Sequence, residues 1–504
     1  MVGDRRSGIM RTKSVERSIA ETDEPDTRLR RDLSTWDLIV FGVAVVVGAG
    51  IFTLAASTAG DRAGPSVSVA FVLAAIACGL AALCYAEFAS TVPVAGSAYT
   101  FSYATLGEFV AWIIGWDLIL EFAVGAAVVA KAWSEYLATV FGQFGLALST
   151  VVEAGPLRLD WGALLLVVVL AVVLALGTKL SSRVSLVITA IKVGIVLLVV
   201  VVGLFFIDAA NYRPFVPPAA PASEAPATGF QQSLLSVLGG EGSSTYGIYG
   251  LLAAASLVFF AFIGFDVVAT TAEETRDPQR SMPRGILGSL AIVTVLYVAV
   301  ALVLTGMVPY TELATQPDGT RATLATAFAA RGVDWAATVI AVGALAGLTT
   351  VVMVLLLGQI RVLFAMARDG LLPRPLSRTG RRGTPVRATV LVCAVVAVAA
   401  TFFPIGTLEE MVNIGTLFAF VLVSIGVWIL RRTRPDLPRG FRTPLVPLVP
   451  ILAVLACMWL MVNLTIETWL RFVVWMLLGL VIYAVYGRSH SRLGRRLAAE
   501  RERV

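Results

Sequence analysis

Apolar runs of about 20 residues recur along the whole chain, and they constrain it more than any other feature. Each run is long enough to cross a hydrocarbon core of roughly 30 Å. In that medium every backbone N–H and C=O must be satisfied within the segment, which leaves helices as the fitting element for runs of this length. The composition agrees: 58% of the residues are hydrophobic and 14% charged, whereas soluble domains carry about 25% charged residues. The approximate span cores are 36–59, 66–90, 108–141, 161–179, 184–207, 247–271, 285–308, 334–364, 388–403, 409–430, 446–465 and 468–486. The ninth is short; the third and eighth are long enough to tilt or project.

The 39 Lys and Arg residues set the orientation. With the N-terminus in the cytoplasm, Arg62, Arg158, Arg213, Arg321, Arg331 and Arg471 fall outside and Lys131 and Lys192 within spans; the rest are cytoplasmic. That is the positive-inside asymmetry, and both termini are expected in the cytoplasm of a multi-pass cell-membrane protein. The net charge of +6 is spread between the spans rather than gathered in a patch, so no nucleic-acid partner is expected. Cys78, Cys84, Cys393 and Cys457 lie in apolar runs, and His490 is the single histidine. No disulfide framework, metal site or cofactor is expected. The polar N-terminal stretch has no apolar core or cleavage signal of a signal peptide.

The chain divides into a polar tail (1–33, expected to be disordered), helices 1–5 (34–207), a Pro/Ala-rich outer loop (208–246) expected to be flexible, helices 6–10 (247–430), helices 11–12 (431–486) and a basic tail (487–504). Two spans contain a break. Span 1 reads FGVAVVVGAGIFTLAAS, placing Gly48-Ala49-Gly50 about 20 Å deep at ~1.5 Å per residue. Span 6 reads SLVFFAFIGFDVVATTAEE, with Gly264 in its middle and Asp266 after it. Paired glycines also serve helix packing. A break at the same position in two five-helix halves nevertheless points to an inverted-repeat transporter. Half-helix N-termini favour a carboxylate and free carbonyls an ammonium, which together suit an α-amino acid.

Ionisable residues inside spans are functional hypotheses by default. Lys192 is the leading candidate: it is surrounded by apolar residues and suited to gain and lose a proton, the alternative being a structural ion pair, for instance with Glu121. Glu121 and Asp266 are candidates for gating or pocket roles, with Asp117 one turn before Glu121. Glu87 and Lys131 lie near span ends, where side chains snorkel. Thr349 and Thr350 of span 8 offer hydroxyls to a pocket, or to their own helix.

FFAFIGFDVVATTAEETRDPQRSMPRGI, VPVAGSAYTFSYATLGEFVAWIIGWDLILE and GQIRVLFAMARDGLLP resemble the cationic amino acid transporter family of the amino acid–polyamine–organocation superfamily, across about residues 30–485. The resemblance implies an all-α integral membrane fold of twelve transmembrane helices: an inverted five-plus-five repeat like that of the leucine transporter, plus two C-terminal helices. It implies that a substrate carboxylate meets N–H groups around Val46, Gly48, Ala49 and Gly50, and the amino group meets carbonyls at Phe260, Ala261 and Ile263. It places Lys192 where sodium-coupled relatives bind sodium, which favours proton coupling. The expected function is proton-coupled amino acid symport by alternating access, with Phe260 as an outer gate and a leaning to broad or neutral substrates. Alternatives are a cationic amino acid uniporter or exchanger, and a sensor or channel on the same scaffold. No enzyme motif is present. The partners expected are the amino acid, protons and membrane lipid; a small membrane subunit leaves no mark in the sequence.

Overall fold

The computed structural model describes residues 11, 32–92, 97–146, 148–154, 157–177, 182–221, 229–239, 244–316, 321–380 and 384–501. The longer apolar helices are α1 (Thr35–Val46), α2 (Val67–Thr91), α3 (Glu108–Gln143), α4 (Trp161–Ala175), α5 (Ser182–Gly203), α6 (Gly247–Val258), α7 (Pro278–Met307), α8 (Asp334–Arg368), α9 (Val386–Phe402), α10 (Ile405–Thr433), α11 (Leu448–Val462) and α12 (Ile466–Ile482). Among the described residues, eight helical stretches are long and apolar enough to cross a membrane, and α1, α4, α9 and α11 are shorter. Against the twelve spans expected, the ninth of them short, stand eight long helical stretches and four shorter apolar helices. In α1 the reason is visible: the helix stops at Val46, and helical turns resume only at Gly50 and run to residue 63. The segment after α6 stops in the same way. A tight turn at Phe259–Phe262 precedes Gly264, and tight helical turns resume over Asp266–Glu274.

Helix α1 starts at a reciprocal cap. The Ser34 hydroxyl accepts from the Asp37 N–H, and Asp37 Oδ2 accepts from the Ser34 N–H at 2.8 Å, satisfying two N–H groups that a helix start leaves open. Helix α3 runs through the middle of the bundle, against α4, α8, α9, α10 and α12. Apolar side chains on the outward faces, among them Leu165, Val295, Leu455 and Val474, are exposed. This is the outer surface of a multi-pass membrane protein, where lipid is the solvent.

Several expectations change here. Residues 1–10 and 12–31 of the tail lie outside the described residues. The described parts of the 208–246 loop are tied down: Asn211 Nδ2 donates to the Gly306 carbonyl (2.7 Å) and the Tyr212 hydroxyl to that of Leu302 (2.7 Å). The Gly306 carbonyl is one that the end of α7 leaves without an intrahelical donor. The loop also pairs Ala220–Pro221 with Ser244–Thr245. Glu87 does not snorkel. It is 1% exposed, takes a two-pronged contact from Arg431 (2.9 and 2.7 Å) and the Thr443 N–H (2.8 Å), and lies 3.3 Å from Arg439. Lys131 is likewise paired, with Asp160 at 3.1 Å.

Removing one partner of a buried ion pair strands the other charge. Glu87→Ala is expected to cost about 3 kcal/mol and to lower the melting temperature of the detergent-solubilised protein. A variant as stable as the parent would show that the Arg431 and Arg439 contacts contribute nothing.

Candidate functional site

The two breaks face each other across the centre of the bundle. Helix ends that stop in an apolar interior expose backbone groups, and side chains from three other helices answer them. Tyr297 of α7 sets its hydroxyl 2.7 Å from the Val46 carbonyl and 3.0 Å from that of Ala261, so one phenol joins both breaks. Lys192 of α5, 1% exposed, donates to the Ala44 carbonyl at 2.8 Å. That carbonyl would serve Gly48 in an unbroken helix. Beyond the break, the Thr53 hydroxyl donates to the Ala49 carbonyl (2.8 Å) and the Tyr136 hydroxyl of α3 to that of Phe52 (2.7 Å).

Glycine is required where the two segments touch. A Cβ at Gly50 would lie 2.2 Å from the Ala261 Cα. Gly264 has φ +117°, and its Cβ would meet Val45 Cγ1 at 2.7 Å. Gly48, by contrast, has ordinary room, its nearest neighbour being Val351 Cγ2 at 3.4 Å.

Between the breaks lies a small cavity lined by Val45, Val46, Gly48, Ala49, Gly50, Glu121, Gly125, Val129, Phe260, Ile263, Val351 and Leu355. The sequence-predicted residues Val46, Gly48, Ala49, Gly50, Phe260, Ile263 and Glu121 are thus brought together, and α3 and α8 supply the facing walls. The remaining candidates stand elsewhere. Ala261 is behind the wall, packed on Gly50 with its carbonyl toward Tyr297. Thr349 and Thr350 are not on the wall; their hydroxyls donate to Leu345 and Gly347 of their own helix (2.8 and 2.7 Å). Asp266 is buried outside the cavity lining. Lys192 does not pair with Glu121, whose carboxyl oxygens have no hydrogen-bond partner among the described residues.

At the end of the bundle that carries Arg62 the segments pack closely. A Cβ at Gly60 would meet the Leu313–Ala314 backbone at 2.2 Å. Arg321 holds Glu409 at the start of α10 through two contacts of 2.8 and 3.0 Å. Among the described residues there is no group of three or more His, Cys, Asp or Glu that could hold a metal ion, and all four cysteines are free. Sequence reasoning missed Tyr297, Tyr136 and the aliphatic wall of Val45, Val129 and Leu355. Only the tyrosine hydroxyls, polar groups needing a partner in an apolar span, gave any signal.

Comparison with known proteins fits this geometry. A family model described as amino acid permease matches residues 33–485. The chain is 40% identical over 496 residues to the branched-chain amino acid permease of Bacillus subtilis (strain 168), covering 97% of this chain and 99% of that one. It is 39% identical over 495 residues to the methylthioribose transporter of the same organism, covering 97% and 100%. It is 40% identical over 433 residues to the vacuolar cationic amino acid transporter 2 of Arabidopsis thaliana, covering 85% of this chain and 64% of that one.

The two glycines of the first break are expected to respond differently. Gly50→Ala forces the segments apart at Ala261 and should abolish activity and lower thermal stability, whereas Gly48→Ala should fold like the parent. Melting curves of the two purified variants decide it, and equal stabilities would remove the close-contact account.

Proposed function

The chain belongs to the amino acid permease family, and on that premise we propose that it carries neutral aliphatic amino acids across the cell membrane by proton-coupled symport. Family and relatives are transporters rather than enzymes. The proposal takes twelve membrane crossings in an inverted five-plus-five arrangement with two further helices, and both termini in the cytoplasm.

The observation that carries the substrate class is the wall of the cavity. Apart from the backbone at the two breaks and Glu121, its side chains are apolar: Val45, Val46, Val129, Ile263, Val351 and Leu355, with Phe260 as the aromatic member. Burying an aliphatic side chain there is favourable by about 1.5–3 kcal/mol. A guanidinium or second ammonium needs several acceptors, and the Thr349 and Thr350 hydroxyls are committed to their own helix. The substrate carboxylate meets the N–H groups at Gly48, Ala49 and Gly50, where the second half-helix begins and its dipole favours an anion. The ammonium meets carbonyls at Phe260 and Ile263; the Ala261 carbonyl, though engaged by Tyr297, keeps a second lone pair. Glu121 on the wall favours a second reading, exchange or uniport of basic amino acids, in line with the names of the plant relatives.

Lys192 is proposed as the coupling residue. A charged ammonium holds a carbonyl about twice as strongly as a neutral amine does. Protonation therefore tightens the grip on the end of α1 at Ala44, and loss of the proton releases it. If the two access states differ in that contact, proton occupancy biases their balance, as coupling requires. Phe260, on the wall, is proposed as the gate over the substrate.

The test is uptake into proteoliposomes with an imposed inward proton gradient. Leucine, valine and alanine should accumulate, by up to about tenfold for each pH unit at one proton per substrate; arginine and lysine should not. Lys192→Ala should lose accumulation and keep exchange. Accumulation that survives this substitution, or a parent protein that exchanges without responding to the gradient, would return Lys192 to a structural role, and uptake of arginine in place of leucine would favour the second reading.

A further inference from the structure

Three carboxyls meet beside the cavity with no positive charge among them. Asp117 and Glu121 stand one turn apart on α3, and Asp266 begins the resumed turns after Gly264. They are 0, 1 and 1% exposed. None of their oxygens has a hydrogen-bond partner among the described residues. The charges acting on Glu121 are those of Asp266 and Asp117. Asp266 faces the Gly264 and Val267 N–H groups without closing a hydrogen bond to them.

An independent polar group points at the same place from α2. The Tyr85 hydroxyl is fully buried and unpartnered, and all three acids act on it. Its ring is held edge-on by Phe265 and Phe420, at 6.0 and 5.4 Å between centroids. From α10, Thr416 turns its hydroxyl toward Glu121, and a Cβ on Gly415 would lie 3.2 Å from Asp117 Oδ1. From α11 the Cys457 thiol faces Tyr85. The lysine of the interior, Lys192, is turned to the Ala44 carbonyl, and Arg431 and Arg439 are spent on Glu87.

Ionised carboxylates in an apolar interior cost several kcal/mol each unless paired. Carboxyls that share such a site do not ionise together; they hold protons in common and titrate as a unit. This inference rests on the reading of a neutral substrate side chain, because such a substrate brings no cation to the acids beyond the ammonium that the helix ends take. We propose that Asp117, Glu121 and Asp266 form one proton-sharing site, separate from Lys192, that must be protonated for the cavity to hold an aliphatic side chain. Glu121 is the member on the cavity wall. It takes a proton from solvent when the cavity is open and shares it with Asp117 and Asp266 behind it, while the Tyr85 O–H donates to the carboxylate that remains. Protonated, Glu121 presents a neutral group to the substrate; ionised, it sets a charge against an aliphatic chain.

The experiment is substrate exchange by the Lys192→Ala protein in proteoliposomes at a series of pH values without a gradient, together with infrared spectra of the unmodified protein at mildly acidic and mildly alkaline pH. Exchange should fall toward alkaline pH, by about tenfold per unit beyond the midpoint, and adding Glu121→Gln should flatten that fall. The infrared spectra should show a carboxylic acid C=O band that is lost at alkaline pH and is weaker in Asp117→Asn and Asp266→Asn. Exchange that is independent of pH in Lys192→Ala, or the absence of any protonated carboxyl band in the unmodified protein, overturns the shared site and leaves the transport reading intact. Should Lys192→Ala fail to fold, the infrared result stands on its own. If sodium raises the melting temperature at fixed pH and Glu121→Gln removes that shift, the acids hold a metal cation and the proton assignment falls. Uptake of arginine in place of leucine would instead remove the neutral-substrate premise.

Discussion

A helix that stops inside a membrane has to dispose of its open carbonyls and N–H groups, and the arrangement of the centre follows from that requirement. Two side chains from separate helices serve three carbonyls at or just before the breaks: Lys192 at Ala44, and Tyr297 at both Val46 and Ala261. Thr53 and Tyr136 do the same for the turns that follow. The N–H groups that open the resumed turn at Gly50 receive no side-chain cap. Under the proposed function that N-terminal side is where an amino acid carboxylate would be matched.

How much of this could be read in the sequence depends on how local each signal is. The breaks were legible because glycine is the residue that lets a chain turn at φ +117° or touch another backbone, and Gly48, Gly50 and Gly264 stand in otherwise continuous apolar runs. Lys192 and Glu121 were legible because charge in such a run is rare. Tyr297 was not, since a tyrosine in a span is ordinary until its hydroxyl is seen to reach a carbonyl 251 positions away. Glu87 was misread for the same reason: its partner Arg431 is 344 positions distant. Thr349 and Thr350 had two readings in the sequence, a pocket or their own helix, because a hydroxyl in a helix can always turn back on its own carbonyls; in the structure they do so. The first span is short because of its break, which ends α1 at Val46.

The buried charges fall into two groups. At the ends of the bundle they are matched: Glu87 with Arg431 and Arg439, Glu409 with Arg321, and Glu108 with Arg11. Glu108 also accepts from Tyr103 and Tyr483, which ties the start of α3 to the end of α12. In the centre, Lys192 has a carbonyl alone, and Asp117, Glu121 and Asp266 have one another. A matched pair with two-pronged contacts keeps its charge state and fixes geometry. A buried group without a counter-ion is the one whose protonation responds to its surroundings.

That division bears on how such a protein can move. Arg321 joins the segment before residues 324–330 to α10, so under the proposed alternating access an opening on that side would need the Glu409 contact to loosen or travel with it. Its strength therefore opposes opening whatever the cavity contains. The central groups differ under the proposed mechanism, because their contacts would change with proton and substrate occupancy. Under the proposed mechanism, closure is set by fixed pairs at the ends, while the decision to open is taken at the breaks, where a carboxylate, an ammonium and one or two protons would alter which backbone groups are satisfied. Conformational bias arises only from such differences between states, and the two helix breaks are where this sequence concentrates them.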